Sequence, residues 1–258
     1  MSNPTPKMPV IFLAHGSPML LDSSRWIAEL KAWADAMPRP RAVLMISAHW
    51  DQRPVALGAT RTVPLVYDFY GFPERYYQVT YPAPGAPDLA TRVRDLLRGA
   101  KTEFFDEPAR GLDHGAYVPM ICMYPHADMP TLQLSLPGLE PQTVYGLGKA
   151  LAPLRDEGIL IIGSGFLTHN LRAISERTPA WAYEFDGWIA DTLLRDDVDA
   201  LLDYRAKAPG VEYALPTHEH FVPVILAKGA VSGARVPTSF PITGFVGGSL
   251  TRRSVQFG

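Results

Sequence analysis

Seven histidines, His15, His49, His114, His126, His169, His218 and His220, are the residues whose type and placement can carry chemistry. Three of them stand just past short apolar runs. His15 follows Val10-Ile11-Phe12-Leu13-Ala14 and precedes Gly16-Ser17-Pro18, His49 follows the run from Ala42 to Ala48, and His169 comes after Ile159-Leu160-Ile161-Ile162 and Gly163-Ser164-Gly165. Imidazole is the commonest metal ligand among side chains. An open catalytic metal site needs about three protein ligands and keeps positions free. Histidines delivered from separate strands to one sheet edge can converge on one ion.

Thr217-His218-Glu219-His220 adds a further candidate. Thr217 suits the N-cap of a helix predicted over Glu219 to Ala230, with Glu219 and His220 in its first turn. Residues two apart on a helix do not share a face, so His218 and His220 are not expected to be joint ligands. Glu219 fits either as the acceptor of a ligand's N–H or as a carboxylate favoured by the helix dipole. His114, between Asp113 and Gly115, reads as a side chain exposed by a tight turn and as an acid/base candidate. Asp113 would either orient it or cap the next helix. His126, in Tyr124-Pro125-His126-Ala127-Asp128, reads as an ordinary loop residue.

Other chemistries lack their signatures. Position 222 is Val, so there is no HExxH zinc motif. No G-x-S-x-G elbow, Walker A loop or G-x-G-x-x-G occurs, and Gly163-Ser164-Gly165 reads as a turn. The single cysteine, Cys122, excludes an internal disulfide and a cysteine-built metal site. Its apolar surroundings, Val118 to Tyr124, predict a buried inert thiol.

The elements that must position these residues alternate between strand-like and helix-like. Strands are predicted over Val10–Ala14, Ala42–Ala48, Val55–Ala59 (the weakest), Thr131–Leu136 and Ile159–Ile162. Helices are predicted over Ser23–Ala36 with Ser23 or Ser24 as N-cap, Asp88–Arg98 capped by Asp88, Pro141–Leu154, Trp181–Leu194 and Glu219–Ala230. Buried strands alternating with helices imply an α/β fold: a central, mostly parallel or mixed sheet with helices on both faces. In such folds ligands bind at the carboxyl ends of the strands. Thr60 to Gly85 is long, irregular and rich in aromatics and prolines, as a functional loop or lid would be. No repeat or linker is visible, so a single catalytic domain over residues 1–258 is expected.

Composition agrees with an ordinary globular chain. It has 258 residues, 47% hydrophobic and 19% charged, with 24 basic against 26 acidic side chains and a net charge of −2. That balance gives no footprint for nucleic acid or an anionic membrane. No run approaches the roughly 18 apolar residues of a membrane span. Met1 to Pro9 is polar and proline-rich, unlike a signal peptide. A cytoplasmic protein is expected.

Taken together, several ordered stretches resemble the 4,5-DOPA extradiol dioxygenase family, within the class III extradiol ring-cleavage dioxygenases. They are Leu13 to Pro18, Ile46 to Trp50, Tyr67 to Pro73, Gly111 to Ala116, Gly163 to Gly165 with Thr168-His169-Asn170, Pro216-Thr217 with Glu219-His220, and Arg253 to Gly258. The resemblance implies a mononuclear metal held by His15, His49 and His220. It makes His169 either a fourth ligand or the active-site base, and places His114 near the substrate. Two positions depart from the family pattern: His218, where proline is expected, and Thr251-Arg252, expected to be a surface difference. The implied substrates are a catechol and O₂. Fe(II) is the expected active ion, with Zn(II) an occupant of purified protein. A zinc hydrolase built on the same histidines, and a metal- or aromatic-ligand-binding protein without turnover, are the competing readings. Arg75, Arg110 and Arg172 each offer a partner for a substrate carboxylate. Ring-cleavage position and oligomeric state stay open.

Overall fold

In a computed structural model, described over residues 7–258, the chain forms β1 (Val10–Ala14), α1 (Ser24–Ala36), β2 (Ala42–Ser47), β3 (Val55–Leu57), α2 (Pro87–Gly99), β4 (Phe104–Asp106), α3 (His114–Met123), β5 (Thr131–Gln133), α4 (Pro141–Leu151) and β6 (Ile159–Gly165). Next come α5 (Ala180–Leu194), the short α6 (Val198–Leu202), α7 (Tyr204–Lys207) and α8 (Val211–Ala214), then α9 (Val222–Gly229), β7 (Thr238–Ile242), β8 (Phe245–Val246), β9 (Leu250–Thr251) and β10 (Ser254–Phe257). Met1 to Pro6 of the polar N-terminal stretch lie outside the described residues.

The main sheet has the order β5-β2-β6-β1-β10-β7. The first four strands are parallel; β10 and β7 complete the sheet antiparallel. Side chains alternate across the strands with period two. Val10 and Phe12 enter one core with Leu44 and Ile46, against α2, α4, α5 and α9. Ile11 and Leu13 enter the other core with Val43 and Met45, against α1 and α3. Both faces are therefore covered, which is why the central strands read as continuous apolar runs.

Several boundaries differ from the sequence reading, each for a local reason. Val55–Leu57 forms its ladder with Phe104–Asp106, in a separate two-stranded parallel sheet. Leu134 and Leu136 leave the β5 ladder to form isolated bridges with Leu57 and Asp51. The Asp88 side chain caps nothing; it lies in the first turn of α2, which starts at Pro87. Helix α4 stops at Leu151 and runs on as a 3₁₀ segment to Glu157. Gly163-Ser164-Gly165 is the end of β6 and not a turn. A Cβ on Gly163 would lie 2.4 Å from the Pro223 carbonyl oxygen, and one on Gly165 2.0 Å from that of His220. Glycine lets the backbone from His220 into the first turn of α9 sit on the strand itself. Thr251-Arg252 is buried and not a surface feature. The Thr251 hydroxyl donates to Asp186 at 2.6 Å, and Arg252 pairs with Glu29 over the Trp26 ring.

Candidate metal centre

Strand register brings the first histidines together. Ala14 pairs with Gly165 and Ser47 with Ser164, so β1, β6 and β2 end level with one another. The residues just beyond them project from one edge, at the carboxyl ends of the parallel strands. Gly16, at φ +69°, turns the chain away directly after His15. His220 arrives from the segment before α9, where its carbonyl accepts the Phe166 N–H at 2.9 Å. This segment is not helical: α9 begins at Val222, and the Thr217 hydroxyl donates to the Glu219 carboxylate at 2.8 Å instead of capping a helix. His15, His49 and His220 then present one nitrogen each, all within 4.8 Å of one another. His15 and His220 are buried and His49 is half-buried.

Each of the three rings has its other nitrogen engaged. His220 Nδ1 donates to Glu219 at 3.0 Å, and His49 Nδ1 lies 3.2 Å from Asp68. Both acceptors are carboxylates, which can only receive. His15 Nδ1 meets the Ser164 hydroxyl at 2.9 Å. That hydroxyl has one proton and gives it to the Gly115 carbonyl. Gly115 is free to accept it because its helical partner four residues on is Pro119, which has no N–H. Ser164 therefore accepts from His15 Nδ1–H. All three Nε2 atoms are left as lone pairs, and those of His15 and His49 stand 3.1 Å apart.

Lone pairs at that separation repel unless a cation neutralises them, so the donor set fits a metal ion. Burial, with the neighbouring histidines, holds His15 and His220 well below the usual imidazole range. Burial, with His114, also lowers His49. Neutral imidazole is the form that ligates.

His114 belongs to the same cluster, with its ring centroid 4.0 Å from His49 and 5.4 Å from His15. It opens α3, is buried, and is not exposed in a turn. Asp113 caps that helix through the Ala116 N–H. The residue that orients His114 is Asp68, which accepts from its Nδ1 at 2.8 Å and its backbone N–H at 3.0 Å. Sequence reasoning gave Asp68 no role. Its only signal was a lone carboxylate within the aromatic run Tyr67 to Phe72. Burial raises Asp68, but the hydrogen bond and charge of His114 outweigh it and hold the carboxyl below its ordinary value.

His169 sits beside the three-nitrogen set, its ring stacked on His220 at 3.5 Å and 13°. Burial lowers it to about 4. Its backbone N–H is fixed by the Ala214 carbonyl at 2.8 Å. His218 turns away, against the Tyr204 ring at 5.5 Å, and His126 is exposed. Cys122 is buried, which pushes its thiol up to about 12. The segment from Thr60 to Gly85 brings Phe69 to 5.7 Å from His114, while Phe166 covers His15 at 5.5 Å. Of the three arginines, Arg75 pairs with Asp22, Arg172 is exposed, and Arg110 stacks on Trp50 with its guanidinium 3.5 Å from the His49 carbonyl.

A family model for the catalytic LigB subunit of aromatic ring-opening dioxygenase matches residues 9–246. The chain belongs to this family. A 4,5-DOPA dioxygenase extradiol of Beta vulgaris is 40% identical over 255 residues, 95% of each chain. A protein of the same name from Escherichia coli K12 is 37% identical over 261 residues, covering 98% of this chain and 95% of that one. The crystal structure of an uncharacterized Escherichia coli K12 protein superposes with a TM-score of 0.82 at 34% identity, covering 97% of this chain and all of that one. This LigB-family chain is thus an extradiol dioxygenase, an oxidoreductase whose family works with a bound metal, an aromatic substrate and O₂. The competing hydrolase and binding-protein readings fall with that assignment. No helix among the described residues is long and apolar enough to cross a membrane.

Proposed function

We propose that the chain opens the ring of a catechol bearing a DOPA-like side chain, at a single ion held by His15, His49 and His220. The observation that carries the ligand assignment is the convergence of three Nε2 lone pairs whose opposite nitrogens are all engaged. Three neutral imidazoles accept Fe(II) and Zn(II) alike. Fe(II) is the active ion in this reading, because bound in this set it supplies the one-electron chemistry between an electron-rich ring and O₂ that Zn(II) lacks. The overall reaction inserts both oxygen atoms of O₂ and converts the catechol to a ring-opened semialdehyde carboxylic acid.

The side chains around the ligands handle protons and water. His169, neutral at pH 7, has a lone pair available to accept a catechol hydroxyl proton. That it stacks on His220 beside the three-nitrogen set favours the base over a fourth ligand. His114, oriented by Asp68, is the second acid/base group: its Nε2 takes up the other catechol hydroxyl proton and returns it during ring opening. Phe69 and Phe166 border the histidines and exclude water. The side chain of a DOPA-like substrate carries a carboxylate, and Arg110, which lies beside His49 and also pairs with Asp113 at 3.4 Å, is the candidate to meet it.

The experiment is O₂ uptake by metal-stripped protein reloaded with Fe(II) or Zn(II), with DOPA and simple catechols, while absorbance is scanned for a ring-opened product. Uptake with Fe(II) alone, fastest with DOPA, is expected. One bound ion per chain without uptake on any catechol would refute the reading.

A further inference from the structure

We infer that Asp68 is a positioning residue that sets the tautomers of two imidazoles at once, His114 through one carboxylate oxygen and His49 through the other. The inference rests on the proposed roles of those two histidines. Oδ1 accepts from His114 Nδ1 at 2.8 Å and from the His114 backbone N–H at 3.0 Å, and Oδ2 faces His49 Nδ1 at 3.2 Å. A carboxylate can accept from both rings; an amide of the same shape cannot, because its NH₂ group would oppose one Nδ1–H. The three ligand atoms of His49, Asp68 and His114 lie within 4.8 Å of one another, and the two rings are 4.0 Å apart. The Asp68 side chain is only 20% exposed.

Three features show that this contact is built. Asp68 reaches the cluster from the irregular Thr60–Gly85 segment, whose backbone is tied to α3's entry by the Val66 N–H to the Leu112 carbonyl at 2.9 Å and a bridge to Asp113. The cap of α3 is already supplied by Asp113, so Asp68 is not needed for that task. The segment is pinned a few residues on, where Arg75 and Tyr76 both bond Asp22. Asp68 thus joins the proposed ligand His49 to the proposed acid/base His114. It keeps Nε2 of both rings facing the reaction space.

The test needs no turnover to begin. In ¹⁵N-labelled, zinc-loaded protein, the imidazole nitrogens of His49 and His114 are expected to show protons on Nδ1 in both rings. A neutral His114 protonated on Nε2 instead of Nδ1 overturns the inference in the wild type itself. Asp68→Asn is expected to lose the Nδ1–H signature of at least one ring. It should weaken zinc affinity about 10-fold or more and lower kcat of the Fe(II) enzyme about 10–100-fold. The pH optimum should shift while KM changes by less than about threefold. Asp68→Glu is expected to restore part of the kcat and the tautomer pattern. Unchanged tautomers, affinity and pH profile in Asp68→Asn overturn the assignment. Absence of turnover in the wild type would instead refute the proposed reaction, and the nitrogen spectra and zinc affinity would still decide the role of Asp68.

Discussion

Replacing Gly165 with alanine tests whether the end of β6 places His220. A Cβ there would lie 2.0 Å from the His220 carbonyl oxygen and 3.3 Å from its Cα. A carbon beside a carbonyl oxygen needs about 3.3 Å, so the His220 backbone must retreat by about 1.3 Å. The Phe166 N–H to His220 carbonyl bond, 2.9 Å long, stretches beyond use. Overpacking of this kind costs about 1–3 kcal/mol, and the lost hydrogen bond about 1 kcal/mol more. A displacement near 1 Å costs about 10²-fold in rate when it moves a reacting group. Gly165→Ala is therefore expected to unfold about 2–4 kcal/mol more easily, to bind metal more weakly, and to lose about 10²-fold in kcat. Gly146→Ala is the control. It is exposed in α4 with nothing within 4 Å of its would-be Cβ, so it should gain about 0.5–1 kcal/mol. Urea unfolding, metal titration and O₂ uptake read the three quantities. A Gly165→Ala protein with wild-type stability, one tightly bound ion and full kcat would refute the claim that the strand end positions the ligand.

Ser164→Ala removes the acceptor of His15 Nδ1–H, and zinc titration should show affinity lower by about 10-fold. His218→Ala, by contrast, should leave one metal per chain by elemental analysis, because His218 packs on Tyr204 away from the cluster. Metal-free protein should lose stability on acidification. His15, His49, His169 and His220 all titrate below 6.5 when folded, so from pH 6.5 downward the unfolded chain binds protons that the folded chain does not. Each contributes up to about 1.4 kcal/mol per pH unit, and the His169 part is lost between 6.5 and about 4. A melting temperature flat from pH 7 to 5 would contradict this. Arg252→Ala, which leaves one Glu29 oxygen and the Trp26 face without their partner while Arg25 still holds the other oxygen, should cost about 1–2 kcal/mol in urea unfolding.

The sheet was legible because its four parallel strands are buried on both faces and so spell continuous apolar runs. Helix α1 was legible because its cap, Ser23, and its buried Trp26, Leu30 and Trp33 fall at helical spacing. Helix α3 was not. Nearly every residue from His114 to Met123 is buried, so no polar face marks a period, and Pro119 reads as an interruption. The start of α9 was misplaced for a different reason. Thr217 and Glu219 have the residue types of a capping pair, but their side chains bond each other, and the chain stays irregular until Val222. Gly163-Ser164-Gly165 has turn composition yet forms strand, since those glycines answer a contact from the distant His220–Pro223 segment, which local sequence cannot display.

His15 and His49 were legible for a topological reason, and Glu219 was legible as a possible acceptor of a ligand's N–H, which His220 Nδ1 now supplies; Ser164 and Asp68 were not legible. Parallel strands that end in register deliver their next residues to one edge, so two apolar runs each closed by a histidine are enough to pair His15 with His49. The groups that orient them come from elsewhere in the chain: Ser164 sits 149 residues from His15, and Asp68 lies in a segment without periodicity. These partners also fix the electrostatics. Three neutral imidazoles leave the charge of a divalent ion to be met by substrate oxygens, whereas a carboxylate ligand would cancel part of it. The carboxylates are present, but Glu219 and Asp68 stand behind the His220 and His49 rings, the first hydrogen-bonded to His220 Nδ1 and the second 3.2 Å from His49 Nδ1. There they would raise the basicity of the proposed ligands without occupying a position at the ion. Under the proposed reading, a deprotonated catechol would gain from that arrangement, because its negative ring oxygens would meet a more positive ion than a directly coordinated carboxylate would leave. The acidic side chains that balance it are held away from the incoming substrate.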